Sequence, residues 1–272
     1  MTNSSQARKA GAHAVMIVLS ALAIFPVYWM VQTSFRPSNE VFSTLLFPTA
    51  PTLDNYRAVM DAMPILRILG NTFVMAAATT LAQVLTGLLA AWALVRWRFP
   101  GGRIAHSLIA LSWLVPFQVV MIPNYVLATR LGLLDTLAGL VIPNAAAAFA
   151  VLVLYNAMRG FPREVVEAAR MDGAGSFRTL VEVVVPNLRA PLASISILCF
   201  ISAWNEYFWP LLLIRKMDNA VVQIGLQFFM TQEGNDWGLL MAAATLASLP
   251  ILALYLVLQR QVVESFMKSG IR

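Results

Sequence analysis

The sequence predicts an all-α protein, a multi-pass transmembrane bundle of six helices, on three observations. Hydrophobic residues make up 59% of the 272 and charged residues only 12%, about half the share of roughly 25% found in soluble domains. The apolar residues gather into six runs of about 20 residues or more, enough to cross a hydrocarbon core of roughly 30 Å at about 1.5 Å per residue. Lys and Arg crowd into alternate connections between those runs, as the positive-inside bias requires.

Taken in order, residues 1–13 form a polar N-terminus with Arg8 and Lys9, and Ala14 to Ser34 is the first span, kinked at Pro26. A cleaved secretory signal is disfavoured: the run is too long, and Phe35-Arg36-Pro37 follows it in place of a small-residue cleavage site. Residues 35–70 hold Pro37, Pro48, Pro51 and Pro64 and read as an ordered outer connection with short helices. The second span, Asn71 to Val95, is rich in Ala, Thr and Gly, which lets helices pack closely. Pro100-Gly101-Gly102 turns the chain into a third span, Ile104 to Thr129, with Pro116, Gln118, Pro123 and Asn124 inside it. A short link through Asp135 leads to the fourth span, Leu137 to Met158, which contains Pro143-Asn144.

The charged stretch that follows, 159–190, is the longest polar run between two apolar ones. Pro162 suits the first turn of a helix, and Glu164 and Glu167 complement its dipole. Gly173 and Gly175 stop that helix; Ser176 is placed to cap a second one, which Pro186 closes by withholding a backbone donor. Charged groups beside Val165, Ala168 and Ala169 make either a docking surface for a protein partner or a solvated connection with surface ion pairs. The fifth span runs from Pro191 to Ile214, a polar connection reaches Trp237, and the sixth span is Gly238 to Leu258. The domain is thus 14–262, with 263–272 as a tail.

Orientation follows from counting cations. Arg8, Lys9, Arg96, Arg98, Arg103, Arg159, Arg163, Arg170, Arg178, Arg189, Arg260, Lys268 and Arg272 fall on one side, thirteen of the 19; Arg36, Arg57, Arg67, Arg130, Arg215 and Lys216 fall on the other. The thirteen put both termini and the charged stretch in the cytoplasm.

Several functions are excluded. The net charge of +6 is scattered between apolar runs and lines no nucleic-acid-binding face. The lone Cys199 lies in an apolar segment, as a small buried hydrophobe does. No G-x-x-x-x-G-K-[ST] loop exists to hold nucleotide phosphates, and His13 and His106 are isolated, so neither a metal site nor a bound cofactor is expected. The chain is not an enzyme by itself.

The charged stretch also carries a spacing: Glu167-Ala168-Ala169, three residues, Gly173, nine residues, Val183, one residue, Val185-Pro186. It resembles the EAA loop of membrane subunits of ABC importers, with Val at two positions where Ile and Leu are commoner. Phe25 to Pro37, the P-T-L-D-N-Y ending at Tyr56 and the W-N-E-Y-F-W-P-L run from Trp204 resemble carbohydrate-uptake permeases of the maltose and glycerol-phosphate type. The resemblance runs the length of the chain. It implies the type I ABC importer permease fold and a coupling helix bearing Glu167, Ala168, Ala169, Asp172 and Gly173, with Pro186 beyond it, docked on an ATPase subunit. It further implies a second homologous permease, two ATPase subunits that hold ATP-Mg, and an extracytoplasmic solute-binding protein met by Gln232, Glu233, Asn235 and Asp236. The tail keeps Gly270 and Lys268 but otherwise departs from the Gly-rich segment that meets the ATPase in such proteins.

A solute pathway is expected from the polar groups at membrane depth: Gln118, Asn124, Asn144, Trp204, Asn205, Glu206 and Tyr207. A charge at a helix centre costs on the order of 3 kcal/mol, so Glu206 faces either a cavity or a structural partner. Trp204, Tyr207 and Trp209 suit the C–H faces of a sugar, and Trp209, beside Pro210, equally suits an interfacial aromatic belt. The rival function is a self-contained ion-coupled carrier or channel for a small polar solute, for which one intramembrane carboxylate is a thin supply.

Overall fold

The computed structural model describes residues 2–97, 99–231 and 234–270. In chain order the helices are α1 (Thr2–Ser34), α2 (Asp54–Ala62), α3 (Ile65–Arg96), α4 (Gly102–Trp113), α5 (Phe117–Arg130), α6 (Leu137–Val141), α7 (Ala148–Arg159) and α8 (Arg163–Met171). There follow α9 (Ser176–Asn187), α10 (Arg189–Trp204), α11 (Phe208–Leu213), α12 (Val222–Gln227) and α13 (Trp237–Gly270). A two-stranded antiparallel hairpin, β1 (Met230–Thr231) and β2 (Gly234–Asn235), precedes α13. The chain divides into two compact units, Met1–Ile65 with Gly225–Pro250, and Leu66–Ile224 with Ile251–Arg272.

In the first unit the segment after α1 is tied down by one buried cation. Arg36, expected in an outer polar connection, is 0% exposed. A buried charge must be hydrogen-bonded, and its guanidinium donates to Gln32 Oε1 (2.8 Å), to the Glu40 carbonyl (3.2 Å) and to the carbonyls of Ser43 and Leu45. Asn55 of α2 donates to the carbonyls of Ser34 (2.9 Å) and Arg36 (2.8 Å). On its other side Asn55 Oδ1 stands 2.7 Å from where a Cβ on residue 238 would sit, a space left open by the glycine that follows Trp237 in the first turn of α13.

In the second unit α3 and α7 approach closely. A Cβ on Gly87 would lie 3.1 Å from that of Ala150, the small-residue packing expected of this Ala- and Gly-rich helix. The core around it joins Trp92, Leu154, Leu180, Val184, Ile195 and Cys199. At the opposite end, Asp135 takes a left-handed backbone (φ 56°) and clasps two connections. Its Oδ1 accepts from the backbone N–H of Arg215 (3.0 Å) and Lys216 (3.1 Å), and its carbonyl from Asn219 Nδ2 (2.9 Å).

By length and composition Gly11–Ser34, Ile65–Arg96 and Trp237–Val257 can each cross a membrane alone, and the count among the described residues rises to as many as six when each of three bent helix pairs is taken as one span. The first span is longer than expected, since α1 is already helical at Thr2, and α13 carries the sixth into the expected tail, to Gly270. Three expected spans are broken. The third bends by 97° between α4 and α5, where Val115, before Pro116, is denied helical geometry. The fourth bends by 46° after the 3₁₀ turn Ile142–Asn144 that holds Pro143. The fifth begins at Arg189 after an 84° bend and ends at Trp204, so Glu206 lies in a break and not at a helix centre.

Candidate functional site

Two constellations in the second unit bear on function: the helical elbow of α8 and α9, and a polar cavity near the start of α11.

Pro162 caps α8, with Glu164 in the first turn, and the helix ends on Asp172. Gly173 then adopts φ +83°, a conformation disfavoured for residues with a Cβ. Its N–H bonds the Arg170 carbonyl (3.0 Å) and that of Ala174 the Ala169 carbonyl (3.0 Å), which closes the helix with a Schellman motif. Ala169 points inward, while Glu167, Ala168 and Asp172 are exposed. Met171 is 89% exposed. The outer surface is therefore a short charged edge beside a flat alanine and a free methionine, stiffened from behind.

The second half departs from expectation twice. Ser176 is the first residue of α9, not its cap; Gly175 holds that position, and Ser176 Oγ accepts from Trp92 Nε1 at 3.0 Å. This bond ties the elbow to α3. Pro186 does not end α9. Leu180–Val184 form a π-turn, whose wider spacing accommodates a residue without an N–H, and the chain bends only after Asn187. Leu180 and Val184 are buried in the core. Arg178 and Glu182 pair at 2.8 Å on the exposed face.

The cavity has a volume of about 100 Å³, room for several waters at roughly 10–15 Å³ each. Thr79 and Gln83 of α3, Asn144, Ser202 and Glu206 supply its polar wall. Gln83 Nε2 donates to the Asn144 carbonyl (2.9 Å), and Asn144 Nδ2 to the Leu140 carbonyl (3.0 Å). Glu206 Oε1 accepts from the Trp209 N–H (3.3 Å), so the carboxylate meets the start of α11 and turns toward the cavity, half-buried. The carboxylate thus faces a cavity and bonds a backbone N–H of its own chain.

Of the expected pathway residues, only Asn144 and Glu206 line this cavity. Trp204 is 2% exposed and stacks on Phe200 (centroids 5.7 Å), so its face is taken. Asn205 is exposed and accepts from Gln223 Nε2 (3.4 Å), and Tyr207 packs edge-on against Phe208. Gln118 is exposed and Asn124 half-buried on α5, apart from the cavity. Trp209 is neither belt nor open stacking surface: it is 1% exposed, and its Nε1 donates to the Gly139 carbonyl (3.0 Å). A Cβ on Gly139 would overlap the Leu133 carbonyl, so the glycine allows that approach. Gln83 escaped sequence reasoning, although a glutamine four residues after Thr79 on one helix face was the available signal. Gln232 and Glu233 lie outside the described residues; Asn235 is in β2, and Asp236 is exposed before α13.

Broken spans around a polar cavity, joined to a stiff charged elbow, define a helical membrane transport subunit. Residues 83–268 match the family described as binding-protein-dependent transport system inner membrane component, and the chain belongs to that family. It is accordingly a multi-pass protein of the bacterial inner membrane. Curated relatives include the sn-glycerol-3-phosphate transport system permease protein UgpE of Escherichia coli O1:K1, 32% identical over 267 residues, covering 94% of this chain and 95% of the relative. UgpE of Rhizobium meliloti (strain 1021) is 30% identical over 268 residues, with the same coverage of each chain. Among solved structures, a chain of a bacterial ABC transporter involved in import of the acidic polysaccharide alginate superposes with a TM-score of 0.83 at 24% identity, over 96% of this chain and 98% of that one. A chain of the alginate transporter in complex with an alginate pentasaccharide-bound periplasmic protein gives 0.68 at 12% identity, over 99% and 98%. Both establish the permease fold, and the family membership favours a transport-system subunit over a self-contained carrier.

Proposed function

We propose that this chain is one of two permease subunits in an ATP-driven importer of a sugar-like solute. Two partner ATPases hold ATP-Mg, an extracytoplasmic binding protein delivers the solute near Gln232, Glu233, Asn235 and Asp236, and both termini and the elbow face the cytoplasm. The named relatives and the thirteen-to-six distribution of cations support this reading. The observation that carries it is the elbow itself. An exposed Glu167-Ala168 edge, locked by Gly173 and bonded through Ser176 to Trp92, is a rigid contact that passes a push into the span core.

The cavity wall holds a carboxylate with amide and hydroxyl groups and no lining Lys, Arg or His among the described residues. These groups suit the hydroxyls of a polyol or sugar. On this point the wall departs from the phosphate ester named for the UgpE relatives, which support the transport class and not the solute.

The test is the complete transporter in proteoliposomes, with uptake and ATP hydrolysis measured together. Glu167→Ala is expected to preserve insertion and assembly while lowering solute moved per ATP; unchanged uptake would overturn the coupling role. Single cysteines at Met171 and Asp236 in a Cys199→Ala chain are expected to react with a membrane-impermeant maleimide from opposite sides. Labelling from the same side would overturn the topology.

A further inference from the structure

A second, roomier cleft of about 1120 Å³ opens beside the elbow, where the ends of α3, α4 and α7 meet α8. Arg96, Arg103, Arg159, Arg163 and Arg170 line it against a single carboxylate, Glu167. The ion pairs among the described residues, Arg57–Asp54, Arg67–Asp218 and Arg178–Glu182, engage none of these arginines. Five positive charges converging on one carboxylate leave an excess of cations, so the cleft is suited to an anion. Guanidinium forks match phosphate oxygens in pairs, and a compact ammonium does so less well.

The surroundings specify what carries that anion. Trp97 and Phe99 stand exposed at the mouth, the residue types that settle at a membrane–water boundary. Directly after Arg103, Ile104, Leu108 and Leu111 lie exposed along one face of α4 at helical spacing. A basic cleft lined by Arg103, His106 and Ser107 of α4, with the apolar face of that helix beside it, fits a molecule with a charged head and hydrocarbon tails. An acidic soluble segment would leave that face bare, and a free phosphate would fill a small part of the volume.

We propose that this cleft binds an anionic phospholipid of the inner leaflet, with the headgroup phosphate among the arginines and the acyl chains along Ile104, Leu108 and Leu111. The leaflet rests on the orientation given under the proposed function; the chemistry of the cleft does not. Because Arg163, Glu167 and Arg170 all line the cleft from α8, a lipid held there lies directly beside the edge assigned to the ATPase contact.

The experiment places the assembled transporter in nanodiscs of phosphatidylcholine containing increasing phosphatidylglycerol and counts retained lipid by native mass spectrometry. Wild-type complex is expected to retain phosphatidylglycerol selectively, and R96Q/R103Q/R159Q, which leaves α8 untouched, to lose on the order of 10- to 100-fold in apparent affinity. The matching Lys variant is expected to restore part of the retention, and the control R130Q/R215Q to retain lipid normally. Equal retention by the Gln variant would overturn the proposal. So would loss of the ATPase from that variant with lipid still bound, the mark of an acidic protein contact. Displacement by millimolar inorganic phosphate would mark a site for free anion and also overturn it. Glu167→Ala and the maleimide labelling report on coupling and orientation separately, so a failure of either leaves the lipid count interpretable.

Discussion

Replacing Gly173 tests whether the elbow works because its backbone is locked. A Cβ at this position would meet nothing within 4 Å, so the size of the new side chain is not the obstacle. The obstacle is φ +83°, which costs an ordinary L-residue roughly 1–2 kcal/mol, a β-branched one more, and asparagine least. At about 1.4 kcal/mol per tenfold change, Gly173→Ala should shift the elbow toward unlocked conformations by about 5- to 30-fold, Gly173→Val further, and Gly173→Asn only slightly. Insertion and yield should be unaffected, because the residue is exposed and outside the core. The assay is solute taken up per ATP hydrolysed in proteoliposomes, with hydrogen exchange of the Gly173 and Ala174 amides as the structural readout. The expected order of coupling is wild type, Asn, Ala, Val. Equal coupling by Asn and Val would show that left-handed geometry is irrelevant and would refute the reasoning.

Three further outcomes follow from the same structure. Trp92→Phe removes the bond to Ser176 Oγ, worth about 1 kcal/mol, and should speed exchange in the first turn of α9; Ser176→Ala should do the same, and the double variant should add little. The Asp135 carboxyl is held below the usual carboxylate range, chiefly by the Arg215 backbone N–H; partial burial opposes this, and the Lys216 backbone N–H and Asn219 add to the lowering. Its clasp is therefore fully stabilising above the unfolded value of about 3.9 and is lost as pH falls through the lower folded value; Asp135→Asn, which tolerates the same backbone, should flatten thermal stability against pH in that acid window. Glu206→Gln keeps an oxygen to accept from the Trp209 N–H, so folding should persist while the solute-concentration dependence of uptake changes; an unchanged dependence would place the solute elsewhere.

The elbow was legible because its signals are local. Gly173 reads as a helix stop, and the spacing from Glu167 to Pro186 marks the loop in the sequence itself. Breaks in the spans were less legible, because proline alone does not decide them. Pro26, Pro123 and Pro250 sit inside continuous helices, whereas Pro116 and Pro143 lie at bends of 97° and 46°. Membrane helices accept proline wherever neighbours satisfy the freed carbonyl, and neighbours are not written in the local sequence. The burial of Arg36 was not legible for a related reason: besides Gln32 Oε1, its partners are backbone carbonyls up to nine residues further on, which any sequence supplies. Trp204 and Trp209 looked like open stacking surfaces because their type suits sugars, yet a ring buried against Phe200 and an indole bonded to Gly139 are consequences of packing.

How the elbow and the cavity belong to one device follows from α10. Its 16 residues form a rod of roughly 24 Å at 1.5 Å per residue. Leu188 just before it and Ile195 and Cys199 along it share a core with Leu180 and Val184 of the elbow, and Cys199 with Ser202 also lines the cavity that Glu206 faces. Packed apolar interiors transmit displacement because they are close-packed and resist compression. Under the proposed coupling role, a push on α8 would meet two irregular places: the π-turn at Leu180–Val184 and the break at Asn205–Tyr207. A straight fifth span would join the elbow to the far surface as one piece; the break after Trp204 instead sets Glu206, beside the polar wall, between α10 and an α11 that Trp209 holds on Gly139.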